Sequence, residues 1–340
     1  GADGGLMMAL QVKTLSYVGT DIEHDITGVG FTPSLAWTHS PENYDNLVWT
    51  HPGIQPNQTL YVGQADIEPY GFVNLNSGGF RVSDVPAPGP TAVEFYVNDS
   101  PYTYFAACFA GSDVATGTYV GDGAADRDIV GLGFKPGAVF VKRHVSAPIP
   151  NNNVIGVIRL KDMPVDESHG INDGAGSILS TAIRDFVADG FKIGDHQRVN
   201  RAGDTYSYWA FTETSDSIRY GEYTGNDTAD REIVAGMQPV IVIVAPKRTA
   251  TVCDQPGYRY DVMPEGLSES IDGSGIYSLY YWGDTNANYG IRAFTSQGFK
   301  VGIPAGGGFT AGDLFNRSSY VEYYWVAIGN GARRAYSIVY

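Results

Sequence analysis

Hydrophobic and polar residues alternate with a period of two in several short stretches of the chain. In Gly79-Phe80-Arg81-Val82 two apolar side chains flank a basic one, and the pattern recurs in Gly190-Phe191-Lys192-Ile193 and in Gly298-Phe299-Lys300-Val301. Successive side chains of a β-strand point to opposite faces of its sheet. The alternation therefore predicts strands that bury the apolar residues and expose the basic residue.

Continuous apolar runs predict a second type of strand. Each run begins within two residues of a proline, and the three runs are Leu35-Ala36-Trp37, Ala138-Val139-Phe140-Val141 and Val240–Val244. Proline fixes an extended backbone and lacks the N–H that a sheet ladder would use, so it suits the position just before a strand.

These stretches belong to four blocks that occur in the same order three times. Each copy opens with a tyrosine, and Tyr119 follows Tyr17 by 102 residues while Tyr223 follows Tyr119 by 104. The last block of each copy begins at an asparagine: Asn98, Asn200 and Asn316. A fixed order at a nearly fixed period indicates an internal repeat. We therefore predict three domains, with the boundaries 1–111, 112–214 and 215–340.

Each copy is predicted to be an antiparallel β-sandwich of the jelly-roll type with about eight short strands. The chain is then an all-β protein of three tandem repeats. Its 43 glycines and 23 tyrosines, with only 17% charged residues, favour short strands and tight turns over a helical bundle. Only a few residues join the copies, so we expect neighbouring copies to pack together, in a compact row or in a pseudo-threefold cluster.

The net charge of −15 argues against partners that are themselves strongly negative. Such a field repels phosphate backbones and anionic lipids, so we expect no nucleic-acid partner. No stretch reaches the roughly 18 consecutive apolar residues of a membrane-spanning helix, and we expect no membrane insertion. The two cysteines, Cys108 and Cys253, fall in different copies, and Cys108 lies in an apolar run typical of a reduced core thiol.

The four blocks together resemble the repeat module of bacteriophage tail-fibre and receptor-binding proteins, which is often described as lectin-like. The second copy matches best, in Tyr119-Val120-Gly121, in Ile129 to Pro136 and in Asn200 to Phe211. The resemblance extends over residues 17–328 except for the long middle segment of each copy. It implies a virion-surface or extracellular location and host attachment, and it supplies no catalytic residues.

Acidic pairs recur at matching places in the three copies, the first being Glu23 and Asp25. Carboxylate oxygens in a glycine-rich loop are ligands that Ca²⁺ accepts. Calcium is therefore the one candidate cofactor, and the candidate metal ligands are Asp126, Asp128, Asp230 and Glu232. Turn formation and backbone capping by aspartate explain the same residues without a metal, and we favour this interpretation, which requires no cofactor.

Aromatic residues in the middle segments are the candidate ligand-binding residues. Exposed tyrosine and tryptophan rings offer flat apolar faces to sugars, and they also anchor protein interfaces. The alternative is that about half of them alternate into the core as strand residues. The candidates are Trp49, Tyr61, Tyr258, Tyr260, Tyr280, Tyr281 and Trp282.

Three classes of function stay open at this point. The first is a non-enzymatic virion surface protein, such as a tail fibre or spike. It would assemble with itself and with other virion proteins and attach to host glycans through the segments 40–95, 145–185 and 250–295. The second is a purely architectural subunit of a capsid decoration or of an extracellular filament. The third is a polysaccharide-degrading enzyme, which needs two facing carboxylates ~5–10 Å apart, a pair that the sequence does not nominate.

Overall fold

A computed structural model describes residues 9–41, 47–54, 56–62, 67–68, 71–84, 97–144, 156–171, 178–247, 256–265, 267–270, 290–302, 315–316 and 322–329. Within these ranges the regular structure consists of β-strands and one helix of four residues. Every strand pair in this part of the chain is antiparallel, so the predicted all-β, sandwich-type fold is confirmed. No helix of the described ranges is long and apolar enough to cross a membrane.

Nine strands, which we call module 1, come first along the chain. They are β1 (Gln11–Val18), β2 (His24–Ile26), β3 (Leu35–His39), β4 (Val48–Thr50), β5 (Thr59–Tyr61), β6 (Ile67–Glu68), β7 (Phe72–Asn76), β8 (Gly79–Val82) and β9 (Thr103–Ala110). They form a six-stranded sheet in the order β1-β9-β3-β4-β5-β6 and a three-stranded sheet in the order β2-β8-β7.

The next nine strands form module 2. They are β10 (Val114–Val120), β11 (Arg127–Val130), β12 (Pro136–His144), β13 (Val157–Leu160), β14 (Glu167–Gly170), β15 (Ile178–Ser180), β16 (Ile183–Val187), β17 (Gly190–Ile193) and β18 (Thr205–Thr212), with helix α1 (Gln197–Asn200) before β18. The large sheet has the order β10-β18-β12-β13-β14-β15 and the small sheet the order β11-β17-β16.

The remaining described strands form module 3. They are β19 (Ile218–Thr224), β20 (Arg231–Val234), β21 (Ile241–Pro246), β22 (Gly257–Tyr260), β23 (Glu269–Ser270), β24 (Ile291–Phe294), β25 (Gly298–Val301) and β26 (Glu322–Ile328). The large sheet has the order β19-β26-β21-β22-β23 and the small sheet the order β20-β25-β24.

The three modules therefore share one strand order. In each large sheet the first and last strands of the module pair, and the third strand pairs with the last on its other side. The predicted domain boundaries fall in the short gaps after β9 and after β18; their exact positions stay a prediction.

The third strand of each module is apolar at successive positions because both of its faces are buried. In β12, Val139 and Val141 face the small sheet of module 2, whereas Ala138 and Phe140 belong to a core shared by all three modules. A strand buried on both faces reads as a continuous apolar run. The Gly-Phe strands such as β17 behave as predicted, since Phe191 is buried and Lys192 is not.

The three large sheets pack against one another around the shared core. The rings of Trp37 in module 1 and Trp209 in module 2 have centroids 5.1 Å apart. His39 of module 1 contacts Tyr258 of module 3, with ring centroids 6.0 Å apart. The Tyr220 hydroxyl of module 3 packs against the end of β18 in module 2. Each module thus contacts both others, as in a triangle.

Equivalent residues make the contacts of this triangle. The residue three positions before the opening tyrosine of each module reaches a neighbouring module. The Thr14 hydroxyl donates to Asp261 of module 3, and the Thr116 hydroxyl donates to the Ser34 carbonyl of module 1 at 3.3 Å. The Tyr220 hydroxyl donates to the Thr212 carbonyl of module 2 at 2.8 Å. This cyclic relation matches the pseudo-threefold alternative, not the linear row.

Candidate functional site

Four of the predicted ligand-binding aromatics lie in the interior. Trp49, Tyr258 and Tyr260 belong to the shared core and Tyr61 to the core of module 1, and each side chain is at most 1% exposed. A ring buried to this extent presents no face to a dissolved sugar, so these four contribute packing area to the fold. Three further candidates lie outside the described residues: Tyr280, Tyr281 and Trp282.

The acidic pair of module 2 faces a lysine across the small sheet. Lys192 on β17 lies 3.0 Å from Asp126 and 2.9 Å from Asp128, and Asp128 is its register partner on β11. The hydrogen bonds that the Lys192 ammonium donates to these two carboxylates, first the one to Asp128, raise the pKa of Lys192. Arg184 also binds Asp126, at 3.1 Å. Side-chain cations thus occupy the place where a metal was predicted.

The same arrangement recurs in module 1. Arg81 on β8 binds Glu23 at 3.0 Å and Asp25 at 2.9 Å. The hydrogen bond from Arg81 lowers the pKa of Asp25. In module 3 the cation comes from Arg292, which binds Asp230.

Glu232 accepts a hydrogen bond from the Thr295 hydroxyl at 2.6 Å. No group of three or more His, Cys, Asp or Glu side chains within the described ranges is placed to hold a metal ion. The ion pairs favour the interpretation without a metal, and calcium binding by these carboxylates stays a hypothesis for titration to test.

The repeated tyrosines and asparagines anchor the interior of each module. In module 2 the Tyr119 hydroxyl donates to the Val199 carbonyl at 2.7 Å, and its ring stacks on Tyr206. Asn200, fully buried, donates from Nδ2 to the Ala124 carbonyl at 2.9 Å and accepts from the Asp122 N–H at 3.0 Å. These bonds join the start of the module to the strand that closes it.

A buried arginine is a structural residue that the repeat blocks did not reveal. Arg159 on β13 is 3% exposed and donates to the carbonyls of Met163, Pro164 and Glu167. Its guanidinium lies 5.3 Å from the ring centroid of Phe186 on β16. The arginine therefore fastens the turn after β13 to the small sheet.

Module 3 repeats this device. Arg259 on β22 is 4% exposed and donates to the carbonyls of Met263, Pro264 and Leu267. Burial lowers the pKa of Arg259 to about 10. The signal in the sequence is Arg-x-x-x-Met-Pro, present at 159–164 and at 259–264 but not in module 1.

A buried polar cluster lies between modules 1 and 2. The Nε2 atom of His51 is 2.9 Å from the Ser207 hydroxyl, which also forms a short hydrogen bond with Nε2 of His144. His51 and Ser207 are 2% and 0% exposed. No motif in the sequence indicates this contact, because the three side chains are distant along the chain.

A groove lies at the junction of modules 2 and 3. Its volume is about 710 Å³. It carries charges of both signs, and Glu213 is already paired with Lys135 at 3.2 Å. None of the predicted ligand-binding or metal-binding residues lines it. The lining residues are Ala9, Asp113, Lys161, Glu213, Thr214, Ser215, Asp216, Ile218, Arg219 and Tyr220.

Comparison with known proteins adds a family without an assigned function. Residues 89–215 match a family described as a domain of unknown function, DUF7483. The match covers fewer than half of the residues, from before the last strand of module 1 through β18. No curated protein matches the chain.

Proposed function

We propose that this chain is a non-enzymatic virion surface protein that uses a closed three-module β scaffold to present variable inter-strand segments to other subunits and to a host-surface glycan. The virion location comes from the resemblance of the repeat blocks to tail-fibre and receptor-binding modules. The observation that carries the scaffold role is the contrast between repeated and unrepeated residues. The repeated tyrosines and asparagines bond inside their own module, as Tyr119 and Asn200 do, whereas unrepeated segments connect the strand ends.

The lengths of these connections support presentation of variable segments. The third and fourth strands are separated by 8 residues in module 1, 12 in module 2 and 10 in module 3. The connection to the last strand begins after Val82, Ile193 or Val301 and spans 20, 11 and 20 residues. Loops on a constant scaffold tolerate such changes and commonly carry binding residues.

Both connections are attached at the same end of each large sheet. The last residue of β12, His144, pairs directly with Thr205, the first residue of β18. In module 1 His39 pairs with Phe105 near the start of β9, and in module 3 Pro246 pairs with Tyr323. The strand ends from which the variable connections leave are thus side by side in each module, as a composite binding surface requires.

A purely architectural role is the second candidate, and the burial of the aromatics favours it. Trp49, Tyr61, Tyr258 and Tyr260 were the aromatic candidates for sugar contact in the described ranges, and all four are in the core. In this role the same connections contact neighbouring subunits of a capsid decoration or filament and bind no glycan.

A binding experiment with a matched pair of variants tests the proposal. Residues 145–155 are replaced by a Gly-Ser segment of equal length, and the control replaces Lys192 by alanine on the small sheet of the same module. We expect the wild-type chain and the Lys192→Ala control to bind host cells or an array of host glycans, and the segment variant to lose binding with an unchanged unfolding midpoint.

The other outcomes distinguish the alternatives. A blank array together with ordered assemblies in electron micrographs would replace adhesion with the architectural role. Turnover of host capsule or lipopolysaccharide, abolished by a single carboxylate substitution, would replace both with an enzyme.

A further inference from the structure

The contact of His51 with Ser207 places two polar residues where the other modules bury apolar or aromatic ones. His51 corresponds to Leu160 and Tyr260, because each accepts the N–H of the residue three positions later in the same turn. Both of those residues belong to the shared core. The polar side chain of module 1 at this position is therefore an exception within an apolar layer.

Ser207 is the matching exception in module 2. Ser207 on β18 pairs with Lys142 on β12. At the equivalent positions, Phe105 pairs with His39 in module 1 and Tyr324 pairs with Ala245 in module 3. Phe105 and Tyr324 both belong to the shared core. In module 2 the small Ser207 side chain thus replaces an aromatic ring at the position that contacts His51 of module 1.

The hydrogen bonds of this cluster determine its protonation state. The Gly53 N–H donates to Nδ1 of His51 at 3.0 Å, so Nδ1 carries no proton. A neutral imidazole then carries its proton on Nε2, which donates to the Ser207 hydroxyl. That hydroxyl donates its own proton to Nε2 of His144. The chain of donors is complete only while both histidines are neutral.

The surroundings of the two imidazoles oppose added positive charge. On β12 burial and then the positive charge of Lys142 disfavour protonation of His144, and Arg143 between these two residues is ion-paired with Asp204. On β4 the ring of Trp49 stacks on His51, with centroids 5.5 Å apart. On β10 the methyl group of Thr118 lies beside Gly53. The charged groups that shift the pKa values of the two histidines are thus His144 and Lys142, and neither supplies a negative charge.

We propose that His51, Ser207 and His144 form an acid-sensitive latch, in which proton uptake breaks the hydrogen-bond chain and loosens the contact between modules 1 and 2. Protonation of Nδ1 of His51 removes the acceptor for the Gly53 N–H. Protonation of Nε2 of His144 removes the acceptor for the Ser207 hydroxyl. Either event leaves a cation inside an interface that does not compensate it.

The direction of the pH effect follows from the depressed pKa values of the folded protein. Burial lowers the pKa of His51 to about 3 and that of His144 to about 4, from 6.5 in the unfolded chain. The open form therefore binds more protons, and closure weakens as pH falls below about 6.5. The range from pH 7 to 5 lies above the ordinary pKa range of Asp and Glu side chains, so it isolates the histidines.

Hydrogen exchange measured at pH 7 and pH 5, corrected for the intrinsic rate, tests the latch. The Gly156 N–H donates to the Val62 carbonyl across the interface at 3.4 Å, whereas the Gly121 N–H donates to the Asp204 carbonyl within module 2. We expect the protection of the Gly156 amide to fall at least tenfold at pH 5 while that of Gly121 is retained. Equal protection of Gly156 at the two pH values would overturn the proposal.

Variants give a second, independent outcome. Gln replaces the Nε2 donor of histidine by an amide that does not titrate, so H51Q/H144Q is expected to keep the Gly156 protection constant from pH 7 to 5. His24→Gln, at a histidine of module 1 that bonds only within its own module, is expected to retain the acid response. An acid response that persists in H51Q/H144Q excludes the latch. If that variant does not fold, the exchange ratio of the wild-type chain decides alone.

Discussion

Modules 1 and 2 have the same strand order but hold the turn after their fourth strand in different ways. In module 2 the position opposite Val139 is Arg159, which binds three carbonyls of the turn. In module 1 the position opposite Ala36 is Thr50, and the turn is held instead by the Gly53 N–H bound to the His51 side chain. The fold therefore depends on the shared pairing and apolar alternation. The polar device that closes this turn is replaceable.

Removing an aromatic ring from the shared core should cause the largest loss of stability, and the loss should affect modules 1 and 2 together. Trp37→Ala empties a site where module 1 contacts Trp209 and Phe211 of module 2. We expect a loss of about 3–5 kcal/mol in the free energy of unfolding, measured by chemical denaturation. Val18→Ala, at a side chain 54% exposed, is the control and should change little. A loss below ~1 kcal/mol for Trp37→Ala would contradict a core that joins the modules.

The arginine substitutions test whether modules 1 and 2 hold the turn after their fourth strand in different ways. Arg159→Met and Arg259→Met leave buried carbonyls without donors, and we expect each to cost about 2–3 kcal/mol of unfolding free energy. Thr50→Val, at the equivalent position of module 1, should cost less than about 1 kcal/mol of unfolding free energy, since the turn of module 1 has no set of carbonyls bound by this side chain. Equal losses at the three positions would show that the turn does not depend on the arginine.

The buried asparagines should behave alike, because all three modules use them in the same way. Asn98, Asn200 and Asn316 each accept a backbone N–H and donate to a carbonyl of the loop after the first strand. Replacing any one by alanine should cost about 1–2 kcal/mol in thermal or chemical unfolding. A loss confined to one module would mean that the modules share this residue but not its role.

The smallest effect is expected at the exposed ion pairs of the small sheets. Lys192→Met removes the partner of Asp126 and Asp128, and solvent screening should keep the unfolding midpoint nearly unchanged. Calorimetric titration with calcium chloride should show no saturable binding to the wild-type chain at these carboxylates. Saturable binding that Asp128→Asn abolishes would restore the calcium site.

Local patterns were sufficient for the strands and for their repetition. Alternation around Phe80, Phe191 and Phe299 predicted strands with a buried phenylalanine, and each phenylalanine is fully buried. Such patterns did not determine whether the rings of the aromatic candidates are buried or exposed. Trp49 and Tyr258 lie on short strands whose inner face is covered only by other modules, so no local rule indicates whether their rings are exposed.

The amino-acid sequence by itself determined the all-β class, the order of the repeat blocks along the chain and the threefold repetition, because periodicity and turn residues act over a few neighbouring positions. The tertiary structure decided which faces are buried, since the second face of each large sheet is covered only when three modules close into a triangle. It also brought His51, His144 and Ser207 together across an interface. Residues so far apart along the chain meet only through packing, which leaves no local signal.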